Sequence, residues 1–289
     1  MSGLGTVRSR GSQLTRLLEA NELTVVPGVY DALSARVAEE LGYEALVIGS
    51  YATNSCAFGL PDTGVVTVPE LIDNARRIIR AVTIPIILDL DDCGGSPLKI
   101  RRNVALAADA GAAAIQIEDV DLSHGKHFKD KPHEVLPLEV AVDNLRAAIE
   151  ARADSDMLIV ARTDVLFTGS LDDAIERINA FAEVGAEIGM ICLLPLDDMA
   201  RATSAVTLPL LNTYLRDESR PDQIAEARAA GLRLIVPASL SFRAAYAAVR
   251  QALTDLRDNG QDPTMESWAQ IAADVDNTIG LDEWATAVR

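Results

Sequence analysis

The sequence predicts an α/β protein folded as a (β/α)8 barrel of the TIM type with extra C-terminal helices. Short apolar runs alternate with helix-patterned stretches eight times along the 289 residues. Runs such as Pro85–Leu88, with Pro85, Ile86, Ile87 and Leu88 in a row, read as strands buried in a parallel sheet. No linker splits the chain, so residues 1–289 are read as one barrel domain, with the barrel over about 20–258 and a helical tail over 259–289.

Taken in order, the N-terminal stretch MSGLGTVRSRGS is basic but precedes no apolar segment, and is read as a loose leader rather than a signal peptide. A first helix is expected over Gln13–Ala20 and a strand over Thr24–Val26, turned by Pro27-Gly28. Leu33, Val37 and Leu41 have helical spacing, so Asp31–Leu41 is a helix, closed by Gly42. Strand Ala45–Ile48 leads into a long loop, Gly49–Gly64, rich in small and polar residues. Thr67-Val68-Pro69-Glu70 is a capping box that opens a helix reaching about Arg80. Strand Pro85–Leu90 follows. Ser96-Pro97 makes an N-cap and first-turn pair for helix Pro97–Ala110, closed by Gly111.

The second half repeats the pattern. Strand Ala114–Glu118, a loop over Asp119–Leu136 and helix Pro137–Ala151 are followed by strand Met157–Ala161. Ser170 and Asp173 start helix Leu171–Val184, and strand Ile188–Leu193 precedes a short helix near Asp197–Ala202. Strand Pro209–Leu211, helix Pro221–Ala230, strand Leu232–Val236 and helix Ser241–Asp258 complete the series. Beyond Gly260, Trp268, Ile271, Ile279, Leu281 and Trp284 mark one or two amphipathic helices that pack on the barrel or on a neighbouring subunit.

Composition narrows the function classes. A net charge of −17 argues against nucleic acid and against anionic membrane surfaces, while leaving room for a locally positive site. Hydrophobic residues make up 49% and aromatics only 4%, which predicts an aliphatic core. Cys56, Cys93 and Cys192 form no CxxC pair, which suits a reduced, cytoplasmic protein without disulfides or structural zinc. No apolar run approaches a membrane span.

Barrel enzymes work at the C-terminal ends of their strands. Here strand two ends at Gly49-Ser50-Tyr51, strand three at Asp89 and Asp91, strand four at Glu118, strand five at Arg162 and strand seven at Asn212. The loop after strand two adds Asp62. Side chains alternate along a strand, so Asp89 and Asp91 point the same way and repel unless a cation sits between them. Capping of the next helix is the plainer alternative for Asp91 and Asp92, but Ser96 already fills that position. Mg2+, with Mn2+ able to substitute, is the expected cofactor, because hard cations prefer oxygen ligands. Asp89, Asp91 and Glu118 are its candidate ligands. The bound partner is then a small oxyacid, gripped by Arg162 and by N–H groups of the Gly49–Tyr51 turn.

Seven stretches now show a resemblance. PGVYDALSARVAEELGYEALVIGS (27–50), FGLPDTGVVTVPE (58–70), PIILDLD (85–91), AAIQIED (113–119), LIVARTD (158–164), PLLN (209–212) and SFRAA (241–245) resemble the isocitrate lyase/phosphoenolpyruvate mutase superfamily, in its order and spacing. The resemblance implies a Mg2+-dependent enzyme on small 2-oxo or 2-hydroxy carboxylates. It implies that Asp89 is the direct metal ligand, that Asp91 and Glu118 hold the metal partly through water, that Asp62 belongs to a mobile loop, and that Arg162 clamps a carboxylate. It also implies a homodimer or homotetramer that exchanges its last helices between subunits.

Two departures bear on the reaction. The third strand of the family usually continues as DTGYG or DHGYG, whereas this chain reads Asp91-Asp92-Cys93-Gly94-Gly95. The lysine-arginine-cysteine-glycine-histidine box of the lyase branch, and the asparagine of the mutase branch, are replaced by Ser123-His124-Gly125-Lys126-His127. All three histidines, His124, His127 and His133, share this loop with Lys126, Lys129 and Lys131. Such a basic loop on an acidic protein reads as a lid, with His127 or Lys126 as proton donor; a solvated loop without a role is the plain alternative. A zinc pair of His124 and His127 lacks further ligands. Cys93 and Cys56 are weaker stand-ins for the missing acid.

The expected activity is C–C cleavage of a 2-hydroxy di- or tricarboxylate through an enolate, like 2-methylisocitrate lyase, with Tyr51 or a metal-bound water as base. The alternatives are a 2-oxo acid decarboxylase, a phosphonate P–C mutase or hydrolase, and a barrel that binds a metabolite without turning it over.

Overall fold

In the computed structural model, which describes residues 9–20, 22–126, 134–152, 155–213 and 222–287, eight parallel strands curl into one sheet in the order β1-β8-β7-β6-β5-β4-β3-β2. The chain runs α1 (Arg10–Glu19), β1 (Thr24–Val25), α2 (Ala32–Glu40), β2 (Leu46–Ile48), α3 (Ser50–Thr53), a π-helical turn (Asn54–Phe58), α4 (Val68–Ala81), β3 (Ile86–Asp89), α5 (Pro97–Ala110) and β4 (Ala114–Glu118). It continues through α6 (Leu138–Ala151), β5 (Leu158–Thr163), α7 (Leu171–Glu183), β6 (Ile188–Ile191), α8 (Leu196–Ala205), β7 (Leu210–Thr213), α9 (Gln223–Ala229) and β8 (Leu234–Val236). Helices α10 (Leu240–Asn259), α11 (Trp268–Ile279) and α12 (Leu281–Ala287) end it.

β1 pairs with β8 through Thr24–Leu234 and Val25–Ile235. The free edges of β1 and β2 meet at a parallel bridge between Gly28 and Val47, where Val29 N–H donates to Val47 O at 2.9 Å. The barrel therefore closes, as eight strand–helix units require.

Two apolar layers follow from strand alternation. Ile86, Leu88, Ile115, Ile117, Ile159 and Ala161 point outward under the helices. Val47, Ile87, Ala114, Val160, Met190 and Leu211 point inward and fill the barrel, with Leu14 of α1 plugging its lower end. The expectation of a loose leader up to Ser12 changes over residues 9–12; residues 1–8 of that stretch lie outside the described residues. The first helix begins at Arg10, whose guanidinium donates to Ile79 O at 2.9 Å and Val82 O at 2.7 Å, and Ser12 N–H donates to Asp156 at 2.7 Å. Those three acceptors lie far along the chain, which is why local patterning missed them.

Two further expectations change. Gly49–Gly64 is not a plain loop: it carries α3 and the π-helical turn, and Ser50 N–H at its start donates to the Asp89 carboxylate. Leu33, Val37 and Leu41, whose spacing marked α2, are 41%, 41% and 72% exposed, while Ala35 and Ala38 face the core. The capping boxes at Thr67/Glu70 and Ser170/Asp173 form, whereas Ser96 occupies its N-cap position without a side-chain bond.

Helix α11 lies against α2, with Arg36 donating to Thr278 O at 3.3 Å and the Thr278 hydroxyl to Glu40 at 2.7 Å. Trp268 and Trp284 nevertheless remain exposed. Among the described residues no helix is long and apolar enough to cross a membrane.

The approach of β1 to β8 can be tested at Gly28. A Cβ there would lie 1.8 Å from the Ala238 carbonyl oxygen, so Gly28→Ala should cost about 1–3 kcal/mol and lower Tm by several degrees in a thermal melt. An unchanged Tm would contradict the tight β1–β8 approach.

Candidate active site

The inward direction that fills the barrel with aliphatic side chains continues upward into charge. Two residues beyond Ile87 is Asp89, two beyond Val160 is Arg162, and four beyond Ala114 is Glu118. Asp91 joins them by a different device. It sits just past β3 with φ of 53°, in the left-handed region that non-glycine residues enter at a cost. Its carbonyl accepts Glu118 N–H at 2.9 Å, which ties the turn to β4. The result is a buried triad, Asp89, Asp91 and Glu118, whose ligand oxygens all lie within 4.8 Å of one another.

Lys126 reaches into this triad. Its Nζ donates to Asp91 Oδ1 at 2.7 Å and Glu118 Oε1 at 3.0 Å, and stands 3.9 Å from Asp62 Oδ1. Its side chain is 2% exposed. Burial alone would lower the pKa of this ammonium, but Glu118, Asp91, Asp62 and Asp89 together push it up. A proton-donating lysine tuned to neutrality needs the opposite shift. Seated here, the Lys126 ammonium is paired with Asp91 and Glu118. His127 lies outside the described residues.

Arg162 is also engaged. Its Nε and Nη2 donate to the two oxygens of Asp164 at 2.6 and 2.8 Å, and Nη2 approaches Cys192 Sγ at 3.4 Å. The bidentate edge expected to clamp substrate thus holds Asp164, leaving Nη1, which lies 3.2 Å from Glu118 Oε2. Asp164 is held in turn: its N–H donates to Asp119 Oδ1 at 2.9 Å, and Arg177 donates to Asp119 Oδ2 at 2.9 Å and to Leu136 O at 2.8 Å. One buried carboxylate therefore ties β5 to the returning end of the loop after β4.

The remaining candidates divide. Ser50, following Gly49 at the start of α3, directs both N–H and hydroxyl at Asp89 Oδ2, at 3.3 and 3.2 Å, so this turn grips a candidate metal ligand. Asp62 is held by Asn54 Nδ2 at 3.0 Å. Tyr51 stands half exposed at the rim, edge-on to Phe242 with ring centres 5.0 Å apart. Asn212 is fully buried, donating to Leu194 O and accepting from Thr213 N–H. Its amide is spent on backbone. Cys93 and Cys192 are buried, and burial raises both thiols, Cys192 to about 12.

Sequence reasoning did not single out Asp164, Asn54, Asp119 or Arg177. Asp164 had a signal: it lies two residues beyond Arg162, where strand alternation puts both on one side. Asn54 and Arg177 had none, because their partners are distant or on another element.

The donor set fits a hard divalent cation. Glu118 Oε2 is a buried oxygen without a hydrogen-bond donor despite Arg162 nearby, and three carboxylates outnumber the ammonium placed among them. Burial raises Glu118 to about 8 against the pull of Arg162 and Lys126, and raises Asp91 to about 6 against Lys126. Such groups take up either protons or a metal.

A cavity of ≈ 170 Å³ opens beside the triad, lined by Gly49, Ser50, Tyr51, Ala52, Asp62, Asp89, Lys126, Arg162, Ala238 and Ser239. It is smaller than the pockets that hold drug-sized ligands. A larger one, ≈ 520 Å³, lies at the opposite end around Thr15, Pro209 and Arg233, away from every strand-end carboxylate.

The sequence profile of the phosphoenolpyruvate phosphomutase family matches residues 14–257. An oxaloacetate decarboxylase of Chromohalobacter salexigens is 33% identical over 252 residues, covering 84% of this chain and 83% of that one. A probable 2-methylisocitrate lyase of Corynebacterium glutamicum is 32% identical, covering 87% and 82%. The structure of oxaloacetate acetylhydrolase in complex with the inhibitor 3,3-difluorooxalacetate superposes with a TM-score of 0.88 at 30% identity, covering 96% of both chains.

Asp91 and Glu118 must ionise to ligate, so divalent-metal affinity should climb with pH through about 6 and about 8 and binding should release protons. Calorimetry in buffers of different ionisation enthalpy measures this. Affinity that stays flat across that window would contradict the buried triad. Arg177→Met, which strips Asp119 of its cation, should destabilise the fold by about 3–5 kcal/mol in urea unfolding.

Proposed function

The chain belongs to the phosphoenolpyruvate phosphomutase family of lyases and mutases, and from that premise we propose that it is a divalent-metal-dependent enzyme cleaving a C–C bond in a small 2-oxo diacid of the oxaloacetate type, releasing CO2. The observation that carries this reading is the cavity wall. Among the described residues it presents two carboxylates and two cations but neither histidine nor cysteine. Retro-aldol cleavage requires a base for the substrate hydroxyl and an acid for the departing carbon. Decarboxylation of a 2-oxo acid begins without a base. A small cavity also suits a four-carbon diacid better than a tricarboxylate.

Asp89, Asp91 and Glu118 are the residues that would hold Mg2+ or Mn2+. The cation would act as a Lewis acid on the 2-oxo and carboxylate oxygens, drawing off the charge left as the bond breaks. The protein supplies the rest. Ser50 fixes the Asp89 carboxylate, Asp164 fixes the Arg162 guanidinium, and Arg162 Nη1 offers a cationic donor beside Glu118. The Tyr51 hydroxyl is the proton-bearing group on the cavity wall that we assign to protonate the product carbon, because the surrounding carboxylates hold Lys126 in its charged form. His127 is retained as a second candidate.

The second reading is cleavage of a 2-hydroxy di- or tricarboxylate. It is supported by the 2-methylisocitrate lyase relative and by Tyr51, whose rim position is where a base would stand. We further propose a cytoplasmic homodimer or homotetramer joined through the tail, supported by exposed Trp268, Ile271 and Trp284.

The test is an assay of pyruvate and CO2 release from oxaloacetate with Mg2+ or Mn2+, corrected for the protein-free metal-catalysed rate, beside 2-methylisocitrate and malate-type substrates. Oxaloacetate turnover is expected. A chelator, or Asp89→Ala, should lower it by about 10²-fold or more. Turnover confined to the hydroxy acids would favour the second reading, and turnover indifferent to chelator would overturn the metal assignment.

A further inference from the structure

Tyr51 brings a phenol to the cavity wall, yet little of the barrel holds it in place. It lies on the four-residue helix α3 and is 52% exposed, and among the described residues no hydrogen bond fixes its hydroxyl. A half-exposed side chain of this kind exchanges between rotamers within nanoseconds unless something packs against it. What it meets is the ring of Phe242, with centres 5.0 Å apart and planes at 90°. In that geometry the positive edge of one ring faces the negative face of the other, which favours one setting of the pair over the rest.

Phe242 is itself firmly seated. It stands in the first turn of α10 and is the only buried residue of that 20-residue helix, at 8% exposure. Farther along, Tyr246, Val249, Leu253 and Leu256 are all exposed. The residues flanking Phe242 anchor the turn: the Ser241 hydroxyl donates to Gly28 O, and Arg243 Nε donates to Ser239 O at 3.0 Å. Ala238 and Ser239, just before α10, line the same cavity as Tyr51, whereas Phe242 is not part of its wall. We propose that Phe242 is a positioning residue, whose ring holds Tyr51 in the rotamer that keeps its hydroxyl at the cavity. It acts through Tyr51 and not on the substrate. The inference rests on the reading that Tyr51 handles a proton of the reaction, and it holds whether the phenol gives that proton to a product carbon or takes one from a hydroxy acid.

Two measurements decide it. First, kcat and KM for oxaloacetate with saturating Mn2+ are compared for the wild-type protein, F242L, F242Y, Y51F and the double variant Y51F/F242L. F242L, which keeps apolar bulk but has no ring, should lower kcat by about 3- to 10-fold and leave KM within about 2-fold. F242Y, which keeps the ring, should retain the wild-type kcat. In the Y51F background, where there is no hydroxyl left to place, F242L should lower kcat by no more than about 2-fold. Second, the chain is prepared with 3-fluorotyrosine, and the 19F resonance of Tyr51 is identified by its loss in Y51F. In F242L that resonance should move toward the position of the free amino acid and narrow, shifting further than any other of the five tyrosines. An F242L effect that is undiminished in Y51F, or a Tyr51 resonance that F242L leaves in place, would overturn the positioning role while Tyr51 kept its own. Wild-type kcat in Y51F would instead remove the proton-transfer reading of Tyr51, and the inference with it. The resonance measurement needs no turnover, so it decides the placement of the ring whichever acid is the substrate.

Discussion

Four carboxylates crowd the mouth of this barrel, and their mutual repulsion is the constraint from which the rest of the site follows. Asp89, Asp91 and Glu118 lie almost wholly out of water, with Asp62 close behind. Charges so placed persist only when cations or donors face them. Each neighbouring feature answers that demand. Lys126 inserts an ammonium, Ser50 turns two donors onto Asp89, Asn54 holds Asp62, and Arg162 stands beside Glu118. The positive charge still falls short of the negative, and the raised Glu118 and Asp91 express the deficit. The acidic triad at the centre of such a site could hold a divalent cation.

The barrel supplies the geometry at little cost to its core. The same inward alternation that packs Ile87, Ala114 and Val160 delivers Asp89, Glu118 and Arg162 farther along the same strands. Where alternation runs out, local strain takes over: Asp91 and Cys93 both adopt positive φ, and the turn they make sets a third carboxylate beside the other two. Farther out, Asp119 binds Arg177 and the Asp164 backbone, and Leu136 N–H donates to its carbonyl at 2.7 Å. The return of the β4 loop is thus fastened to the strand that carries Arg162. The returning end of that loop at Leu136 and the segment bearing Arg162 and Asp164 are linked through one buried acid.

Much of this was legible in the residues. Strand order, the capping boxes and the strand-end acids follow from periodicity, and α5 spans Pro97–Ala110 as its proline and glycine punctuation predicts. What escaped was non-local. The anchoring of Arg10, the pairing of Arg162 with Asp164 and the insertion of Lys126 into the triad depend on groups brought together only by the closed barrel. Charge patterning marked residues 124–133 as a basic loop, yet pattern alone does not reveal which cation finds which anion. The outward stripe of α2 makes the same point from the apolar side: helical spacing established the helix, and the alanines chose its buried face.

The bond that breaks on such a scaffold is decided by what surrounds the carboxylates rather than by the carboxylates themselves. Decarboxylation and retro-aldol cleavage both leave negative charge on substrate oxygens near the triad, so that part of the site serves either. They differ in proton traffic. A hydroxy acid must surrender a proton before its C–C bond weakens, whereas a 2-oxo acid with a second carboxylate need only lose CO2 and collect a proton afterwards. In this chain the acidic side chains at the mouth are committed: Asp91 and Glu118 to Lys126, Asp164 to Arg162, Asp62 to Asn54, and Asp89 to Ser50. That engagement of the bases is the reason for proposing the reaction that does not begin with one.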